Sequence, residues 1–324
     1  MQFLSDYRND FEAYLNEQIQ LQEPEGLYAP IKYIMNLGGK RMRPVAALLA
    51  AEICGGTRQE AMAAALAVEV FHNFSLVHDD IMDDAPLRRG QETVHEKWDI
   101  NTGILSGDAM LIRAYTLVEC YPAEKFKDLV SLFSTTAMEV CEGQQYDVDF
   151  EERDDVTVAE YLHMIRCKTA VLLAGSLKMG AITAGASQKQ QNLLYDFGVQ
   201  VGMAFQLQDD YLDVYGNPET FGKQPGGDII ENKKTYLYLK CLEQLPQNQA
   251  WELAQLYTLK PKDPAPKIET VTQWMSQSGA AEATKAEMQA YTEKAFALLD
   301  ELDGETEKIG LLRQMAEGLL VREF

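Results

Sequence analysis

Long blocks of apolar residues with the composition of helices recur along this 324-residue chain. They are rich in Ala, Leu, Val and Glu, most of which favour helix. Alternating runs of β-branched residues and Asn-Gly turns, which would indicate strands and hairpins, do not occur. The pattern therefore predicts helices within residues 44–54, 60–78, 160–184, 188–214 and 285–299.

Proline and glycine lie between these blocks and divide the chain into roughly ten or more helices. The sequence Lys-Pro-Lys-Asp-Pro-Ala-Pro at residues 260–266 predicts a stiff connector before the last helices. No shift in composition marks a domain boundary. We therefore predict an all-α protein in which residues 1–324 form a single large helical domain.

The net charge of −21 narrows the range of partners. A nucleic-acid-binding protein needs a basic surface, and an anionic membrane would repel this chain. The five cysteines form no CxxC pair, which fits reduced thiols better than disulfides or a zinc site. The first residues lack the pattern of a signal peptide, and no apolar run is long enough for a membrane span. We expect a soluble, cytoplasmic protein that is not embedded in a membrane.

Two clusters of aspartates each close a strongly apolar block. Asp79 and Asp83 are four residues apart, and so are Asp209 and Asp213. On a helix this spacing stacks the carboxylates on one face, where they repel unless a cation lies between them. Such oxygen ligands suit Mg²⁺, which combines one or two carboxylates with phosphate oxygens and water. One such cluster alone would fit a solvated helix end equally well, but two at the ends of two apolar helices favour metal binding.

The densest basic stretch is Gly-Gly-Lys-Arg-Met-Arg-Pro at residues 38–44. The glycines allow a tight turn, and Pro44 suits the first position of a helix. Lys40 and Arg43 would then lie where free backbone N–H groups favour an anion. A solvated loop of charges is the alternative.

The other cations have similar alternatives. Arg88 and Arg89 suit bidentate phosphate contact, or surface salt bridges to Asp83 or Asp84. Lys168, within an apolar block, could extend to solvent or point into a cleft. His72 precedes Asp79 by seven residues, two helical turns, and is either a core histidine or a ligand contact.

Together these motifs resemble those of the trans-isoprenyl diphosphate synthases, the polyprenyl synthetase family. The resemblance spans about residues 30–240. Its motifs occur in the following order: residues 38–44, His72, residues 76–83, residues 88–90, Gly107-Asp108, residues 143–147, Lys168-Thr169, residues 205–213, Gly222-Lys223 and residues 233–236.

This resemblance implies a helical fold around a deep central cleft, usually in a homodimer. The implied reaction is head-to-tail condensation of isopentenyl diphosphate with an allylic diphosphate, which could be dimethylallyl, geranyl or farnesyl diphosphate. Three Mg²⁺ ions are implied with substrate bound, two at Asp79 and Asp83 and one at Asp209, with Asp80 and Asp213 in support. The implied isopentenyl diphosphate site comprises Lys40, Arg43, His72 and Arg89. The implied allylic diphosphate site comprises Arg88, Lys168, Thr169, Gln206, Lys223 and Lys233.

The chemistry of the family fits these residues. Breaking the allylic C–O bond produces a carbocation and a diphosphate, whose growing charge Mg²⁺ and basic side chains would stabilise. The carbonyl of Lys168, the Thr169 hydroxyl and the Gln206 side chain are candidate dipoles for the cation. The released diphosphate is a candidate proton acceptor.

The length of the product depends on residues that precede Asp79. An aromatic Phe74 five residues upstream, Ser75 four residues upstream and no insertion within the aspartate motif resemble the geranylgeranyl (C20) pattern. Farnesyl diphosphate (C15) and longer polyprenyl products are alternatives. A terpene cyclase and a head-to-head synthase are disfavoured, because the second motif is a full DDxxD. A non-catalytic regulatory subunit is the alternative outside enzymes, although such chains usually lose one aspartate motif.

Overall fold

A computed structural model describes residues 2–217 and 226–320. In that part of the chain, nearly all regular structure is helical, which confirms the predicted all-α fold. The helices are α1 (Ser5–Gln18), α2 (Glu25–Asn36), α3 (Met42–Ile53), α4 (Arg58–Met82), α5 (Val94–Lys97), α6 (Ile100–Leu117), α7 (Ala123–Glu152), α8 (Val158–Ile165), α9 (Val171–Thr183), α10 (Gln188–Tyr215), α11 (Gly227–Glu231), α12 (Tyr236–Gln244), α13 (Gln247–Leu256), α14 (Ala265–Gln277), α15 (Ala280–Asp300) and α16 (Thr306–Leu320).

Three kinds of shorter element complete the described chain. Strands β1 (Leu87–Arg88) and β2 (Gln91–Glu92) form an antiparallel hairpin. Two 3₁₀ turns cover Gln2–Leu4 and Val118–Cys120. A π-helical turn, Arg166–Ala170, lies between α8 and α9.

The chain folds into two compact units, each made of segments that are distant in sequence. Unit 1 comprises Met1–Ala137, Gly175–Tyr195 and Leu302–Met315. Unit 2 comprises Met138–Ala174, Asp196–Glu301 and Ala316–Phe324. Several helices, including α7 and α10, contribute residues to both units. The single domain expected for residues 1–324 stays a prediction.

The helix boundaries refine the predicted blocks. Helix α4 begins earlier than predicted because Thr57 and Glu60 form a capping box that satisfies its first N–H groups. The prediction of a continuous helix over residues 160–184 was wrong in one respect. A π-helical turn interrupts it at Arg166–Ala170, which composition alone does not reveal because apolar content is similar in both kinds of helix.

Helix α4 is the core helix of unit 1. By length and composition it could cross a membrane, but 72% of its apolar window is buried inside the protein. Such burial is what a central helix of a globular fold requires, since apolar side chains all round it need partners. Its apolar character is therefore explained by packing.

Glycines bring α6 close against α4. A Cβ atom at Gly103 would lie 2.9 Å from Cδ1 of Ile81, and one at Gly107 would lie 2.3 Å from Nε2 of His78. These two glycines are one helical turn apart and occupy one face of α6. The close packing fixes the last turns of α4, which carry the first aspartate motif.

A buried ion pair joins the glycine-rich turn to α4. Arg41 has the left-handed backbone conformation, with φ of 51°, which is uncommon for a residue with a side chain. Its Nη1 donates to Oε1 of Glu69 at 2.6 Å, and its Nη2 donates to the carbonyl oxygen of Met35 at 2.5 Å. The side chains of Arg41 and Glu69 are only 3% and 4% exposed. This pair therefore fixes the turn between α2 and α3 relative to α4.

Replacing Glu69 by alanine tests this role, because it would leave the charge of Arg41 buried without its partner. We expect Glu69→Ala to lower the free energy of unfolding by about 3–5 kcal/mol. Urea unfolding followed by circular dichroism measures the change. The matched control is Glu243→Ala, which breaks the 2.8 Å ion pair with Lys240 at a carboxylate that is 52% exposed. The control should cost less than about 1 kcal/mol, and equal losses for the two variants would contradict the assigned role.

Candidate active site

The first aspartate motif lies at the C-terminal end of α4, where its three aspartates Asp79, Asp80 and Asp83 have different surroundings. Asp80 is 1% exposed, and both of its carboxylate oxygens accept from Nε of Arg88, at 2.8 and 2.9 Å. Asp79 is partly buried and Asp83, which follows the last helical residue, is exposed. Asp80 therefore holds Arg88 of the hairpin. The negative end of the α4 dipole adds to the attraction that Asp79 and Asp83 exert on a cation.

The next aspartate belongs to a different group of side chains. Asp84 turns into the left-handed conformation, with φ of 48°. Among the residues described, one group of three acidic, histidine or cysteine side chains has its ligand atoms within 4.8 Å of one another, close enough to share a metal ion. It consists of Asp84, His95 and Glu96. Within the described ranges, neither aspartate motif forms such a closed set by itself, so a metal bound there would need further oxygen ligands.

The glycine-rich turn of unit 1 lies against an arginine. Nη1 of Arg89 donates to the carbonyl oxygen of Gly38. Gly39 has φ of 135°, and a Cβ atom there would lie 2.9 Å from Nη1 of Arg89. The two glycines are therefore needed both for the backbone conformation and for the approach of the guanidinium. Lys40, the next residue, is exposed.

Arg43 and His72 form the second part of this basic group. Nη1 of Arg43 and Nε2 of His72 are 3.2 Å apart. Burial, and then the charge of Arg43, hold the pKa of His72 well below its usual value. His72 is therefore neutral, and its Nε2 accepts from Arg43, because a guanidinium has only donors. The Nε–H of Arg43 is buried with no hydrogen-bond partner among the residues described, so this group retains a donor for an anion.

Unit 2 contains a polar cavity of about 180 Å³ next to the second aspartate motif. Helices α7, α8, α10 and α11 and the π-helical turn contribute to its wall. Its acidic lining residues include Asp147, Asp209, Asp210, Asp213 and Asp228, and its basic ones are Lys168, Lys233 and Lys234. Carboxylates outnumber cations here, which favours the binding of a further cation.

Two carboxyl groups in the cavity show the effect of this crowding. Burial, together with the charge of Asp209, raises the pKa of Asp210 to about 7. Burial, together with the charges of Asp210 and Asp213, raises the pKa of Asp228 to about 8. A divalent cation at this position would relieve the same repulsion that now favours protonation.

Two lysines of the cavity are held by acidic partners. Lys168 forms an ion pair with Asp147. Lys233 lies 2.9 Å from Glu231 and 3.9 Å from Asp228. Burial alone would lower the pKa of Lys233, but these carboxylates raise it. The raised pKa keeps Lys233 charged, and the ion pairs hold both lysines beside the second aspartate motif.

The third lysine of the cavity has a structural contact. Lys234 is buried and donates to the carbonyl oxygens of Phe150 and Glu151, at 2.8 and 2.9 Å. Carbonyl groups at the C-terminal end of a helix lack partners within the helix, and a lysine can supply one. Lys234 thereby ties the segment that carries Lys233 to the C-terminal end of α7.

Lys168 and Thr169 lie in the π-helical turn. Such turns often occur at functional sites, because the wider turn alters which backbone groups are paired. Gly143 of α7 makes room for it, since a Cβ atom there would lie 2.2 Å from the backbone nitrogen of Lys168. The Thr169 hydroxyl donates to Oε1 of Gln206 at 2.9 Å, which connects the turn to α10.

The residues expected to set product length lie in an aromatic cluster of unit 1. Phe74 is 9% exposed, and its ring centre lies 5.5 Å from that of Phe71 and 4.8 Å from that of His78. Phe71 in turn contacts Phe133 with ring centres 5.4 Å apart. The Ser75 hydroxyl donates to the carbonyl oxygen of the residue three positions earlier. Phe74 is therefore part of a packed wall on α4.

The predicted site residues thus fall into two groups, and their roles stay predictions. Lys223 lies outside the described residues. Unit 1 contains Lys40, Arg43, His72, Phe74, Ser75, Asp79, Asp80, Asp83, Arg88 and Arg89. Unit 2 contains Lys168, Thr169, Gln206, Asp209, Asp213 and Lys233.

The structure adds polar residues to which the sequence analysis assigned no role. They line the cavity of unit 2 beside the predicted residues. Spacing offered a weak signal for some of them, since Tyr161 precedes Lys168 by seven residues and Asp228 precedes Lys233 by five. The added residues are Asp147, Tyr161, Asp210, Asp228 and Lys234.

Comparison with known proteins identifies the family. The sequence pattern of the polyprenyl synthetase family matches residues 24–275. A geranylfarnesyl diphosphate synthase of Natronomonas pharaonis is 36% identical, over 96% of this chain and 94% of its own length. A geranylgeranyl pyrophosphate synthase of Geoglobus acetivorans is 37% identical, over 95% of both chains. A crystal structure of a geranylgeranyl pyrophosphate synthase is 53% identical, covers 99% of each chain and superimposes with a TM-score of 0.95. These matches, together with the geometry of the two groups of site residues, show that the chain belongs to the polyprenyl synthetase family of prenyltransferases.

Proposed function

We propose that this protein condenses isopentenyl diphosphate with an allylic diphosphate, head to tail, and that its main product is geranylgeranyl diphosphate. The observation that carries the proposal is the pairing of each aspartate motif with ordered cations. Arg88 is held at the first motif by Asp80, and Lys168 and Lys233 line the cavity of the second. This combination suits a substrate that is itself highly negative and arrives with metal ions.

Mg²⁺ is the metal that fits these residues best. Each motif offers carboxylate oxygens, and the raised pKa values of Asp210 and Asp228 reflect an excess of negative charge. Mg²⁺ prefers a few carboxylates together with phosphate oxygens and water. We assign two ions to Asp79 and Asp83 and a third to Asp209. When bound, the ions stabilise the charge that develops on the departing diphosphate.

The two substrates differ in how they would be bound. Lys40, Arg43, His72 and Arg89 form a basic group that can bind isopentenyl diphosphate directly, as the unpaired Nε–H of Arg43 among the described residues supports. The allylic diphosphate would bind next to the metal ions, and exclusion of water would protect the cation from being trapped. The residues assigned to it are Arg88, Lys168 and Lys233, with Lys223 as a further candidate.

The relatives and the wall around Phe74 support a C20 product. The Geoglobus acetivorans relative is a geranylgeranyl pyrophosphate synthase. The second candidate is a C25 product, because the Natronomonas pharaonis relative is a geranylfarnesyl diphosphate synthase. A chain that grows along α4 would meet the ring of Phe74, whose neighbours Phe71 and His78 limit its movement.

We further propose that the protein acts as a homodimer in the cytoplasm, without insertion into a membrane. The dimer is supported by an exposed apolar face of α6. This face lies opposite Gly103 and Gly107, the glycines that contact α4. Leu105 and Ile112 on this face are 61% and 66% exposed, and Ile104 lies beside them. A second copy of the chain would bury this apolar surface by symmetry.

Removal of metal tests the assignment of the aspartates. We expect Asp79→Ala and Asp209→Ala each to lower kcat by about a thousandfold or more, because the charge on the leaving group loses its metal. Chelation should abolish turnover of the unaltered protein, and added Mg²⁺ should restore it. Chromatography of the dephosphorylated prenols measures the product. The control is Asp196→Ala on the same helix as Asp209, which should retain activity, and near-normal activity of either motif variant would refute the assignment.

Product length tests the role of Phe74. We expect Phe74→Ala to shift the products toward longer prenols, because removing the ring opens the wall of α4. The same chromatography compares the variant with Phe197→Ala, a buried phenylalanine on α10 that should change stability without lengthening the product. If the product distribution of Phe74→Ala matches that of the unaltered protein, another element sets the length.

The dimer can be tested at α6. The double variant L105D/I112D places charges on the proposed interface and should convert dimers into monomers, as light scattering after size-exclusion chromatography would show. The control, Trp251→Asp, alters a side chain on α13 that is 64% exposed and should leave the mass unchanged. A monomeric unaltered protein, or a dimer that persists in the double variant, would contradict this interface.

A further inference from the structure

A chain of hydrogen bonds runs from the wall of the cavity in unit 2 into its buried side. The Thr169 hydroxyl donates to Oε1 of Gln206 at 2.9 Å. Nε2 of Gln206 donates to Oδ1 of Asp210 at 3.0 Å. The Tyr161 hydroxyl donates to Oδ2 of the same carboxylate. Every donor in this chain points toward Asp210, so the carboxylate determines the direction of the other bonds.

That direction fixes the orientation of the Gln206 amide. Both oxygens of Asp210 accept, Oδ1 from Nε2 of Gln206 and Oδ2 from Tyr161, and this arrangement requires the NH₂ end of Gln206 at Asp210. The oxygen end must then face Thr169, whose own proton is used in the bond to it. The oxygens of Thr169 and Gln206 keep lone pairs that this bond does not use, and both residues line the cavity.

The outer and inner members of the chain differ in burial. Gln206 and Thr169 are partly exposed to the cavity, where a substrate could contact them. Asp210 and Tyr161 border the same cavity but are only 5% and 3% exposed, so their carboxylate and hydroxyl groups are largely covered by their neighbours. A buried carboxylate needs hydrogen-bond donors, and Tyr161 and Gln206 supply them.

We propose that Asp210 and Tyr161 are positioning residues that keep the oxygen of Gln206, and not its NH₂ group, toward the allylic carbocation. This inference rests on the proposed function and deepens it. Gln206 and Thr169 contact the reacting carbons, whereas Asp210 and Tyr161 act only through Gln206.

The movement of electrons in the reaction shows why orientation matters. The allylic C–O bond breaks, and its electron pair leaves with the diphosphate, so the allyl group becomes positive. The double bond of isopentenyl diphosphate supplies the pair for the new C–C bond, and a proton is then lost to the diphosphate. An amide oxygen stabilises the transient positive charge, while an NH₂ group in the same place would repel it.

The variant Asp210→Asn is designed to invert the Gln206 amide. The buried Tyr161 hydroxyl has its described acceptor at position 210, so its proton should select the oxygen of the introduced asparagine, which turns the new NH₂ group toward Gln206. Gln206 must then offer its oxygen to that NH₂ group and its own NH₂ to the cavity. We expect kcat to fall about 10- to 100-fold, while the KM for the allylic diphosphate changes less than about twofold.

A second substitution should rescue this variant. In D210N/Q206E, the introduced glutamate carboxylate can accept from both the introduced asparagine and Thr169, so an oxygen again faces the cavity. We expect recovery of kcat to within about fivefold of the unaltered protein, a non-additivity that a purely structural role would not produce. If D210N does not fold, the double variant still tests the positioning role, since it restores a donor for every acceptor in the chain of hydrogen bonds. A folded double variant whose kcat does not recover would overturn the proposal.

Binding of charged analogues gives a readout that does not depend on turnover. The probes are an allylic diphosphate analogue with an ammonium centre at the cationic carbon and its neutral carbon counterpart. D210N should bind the ammonium analogue about 10-fold more weakly and the neutral one unchanged, because only the former senses the reversed amide dipole and the loss of the Asp210 charge. Equal weakening of both would overturn the proposal.

The Mg²⁺ requirement separates this role from metal binding. Removing one nearby negative charge should raise the Mg²⁺ concentration for half-maximal activity only slightly in D210N, by about threefold at most, because Asp210 does not itself bind the ion. A large increase would assign Asp210 to the metal and overturn the positioning role. An inactive unaltered protein would instead overturn the proposed function, whereas an active one with an undiminished kcat in D210N would overturn only this inference.

Discussion

The concentration of carboxylates at the ends of two apolar helices is the constraint on which the other features of the site depend. Helices α4 and α10 both place aspartates near their C-terminal ends, where the helix dipole is already negative. In unit 2, burial and the resulting repulsion raise the pKa values of Asp210 and Asp228. Such an arrangement is unfavourable by itself and becomes favourable when divalent cations and a diphosphate arrive together. Each of the two clusters is therefore suited to the metal ions and the diphosphate that we propose as its ligands.

The basic residues are held in place before any ligand arrives. Asp80 holds Arg88, Asp147 holds Lys168, and Glu69 holds Arg41 beside the turn that carries the exposed lysine of the basic stretch. Long cationic side chains lose conformational entropy when they become ordered. Much of that cost is met during folding, so substrate binding need not supply it.

The sequence predicted the features that depend on local pattern. Apolar content located α4 and α10, and the four-residue spacing of Asp79 and Asp83 placed them on one face. The sequence could not show that Asp80 is buried against Arg88, because that contact depends on the hairpin that follows α4. The hairpin itself has strands of two residues, too short for a periodic signal.

The cavity of unit 2 shows the same limit more clearly. Tyr161 and Asp210 meet although they are 49 residues apart, and each alone resembles an ordinary helical residue. The π-helical turn at Lys168 depends on the close approach of Gly143, which composition does not encode. Long-range contacts of this kind decide which polar groups work together, while local sequence decides only which helices carry them.

The two diphosphates are proposed to bind in different ways, one through metal ions and the other directly to basic side chains. Calorimetric titration of isopentenyl diphosphate, and of an allylic analogue in which sulfur replaces the bridging oxygen, tests this with and without Mg²⁺. Isopentenyl diphosphate should bind with similar affinity in Mg²⁺ and in chelator, whereas the allylic analogue should bind only in Mg²⁺. Binding of the allylic analogue that is unaffected by chelation would contradict this difference.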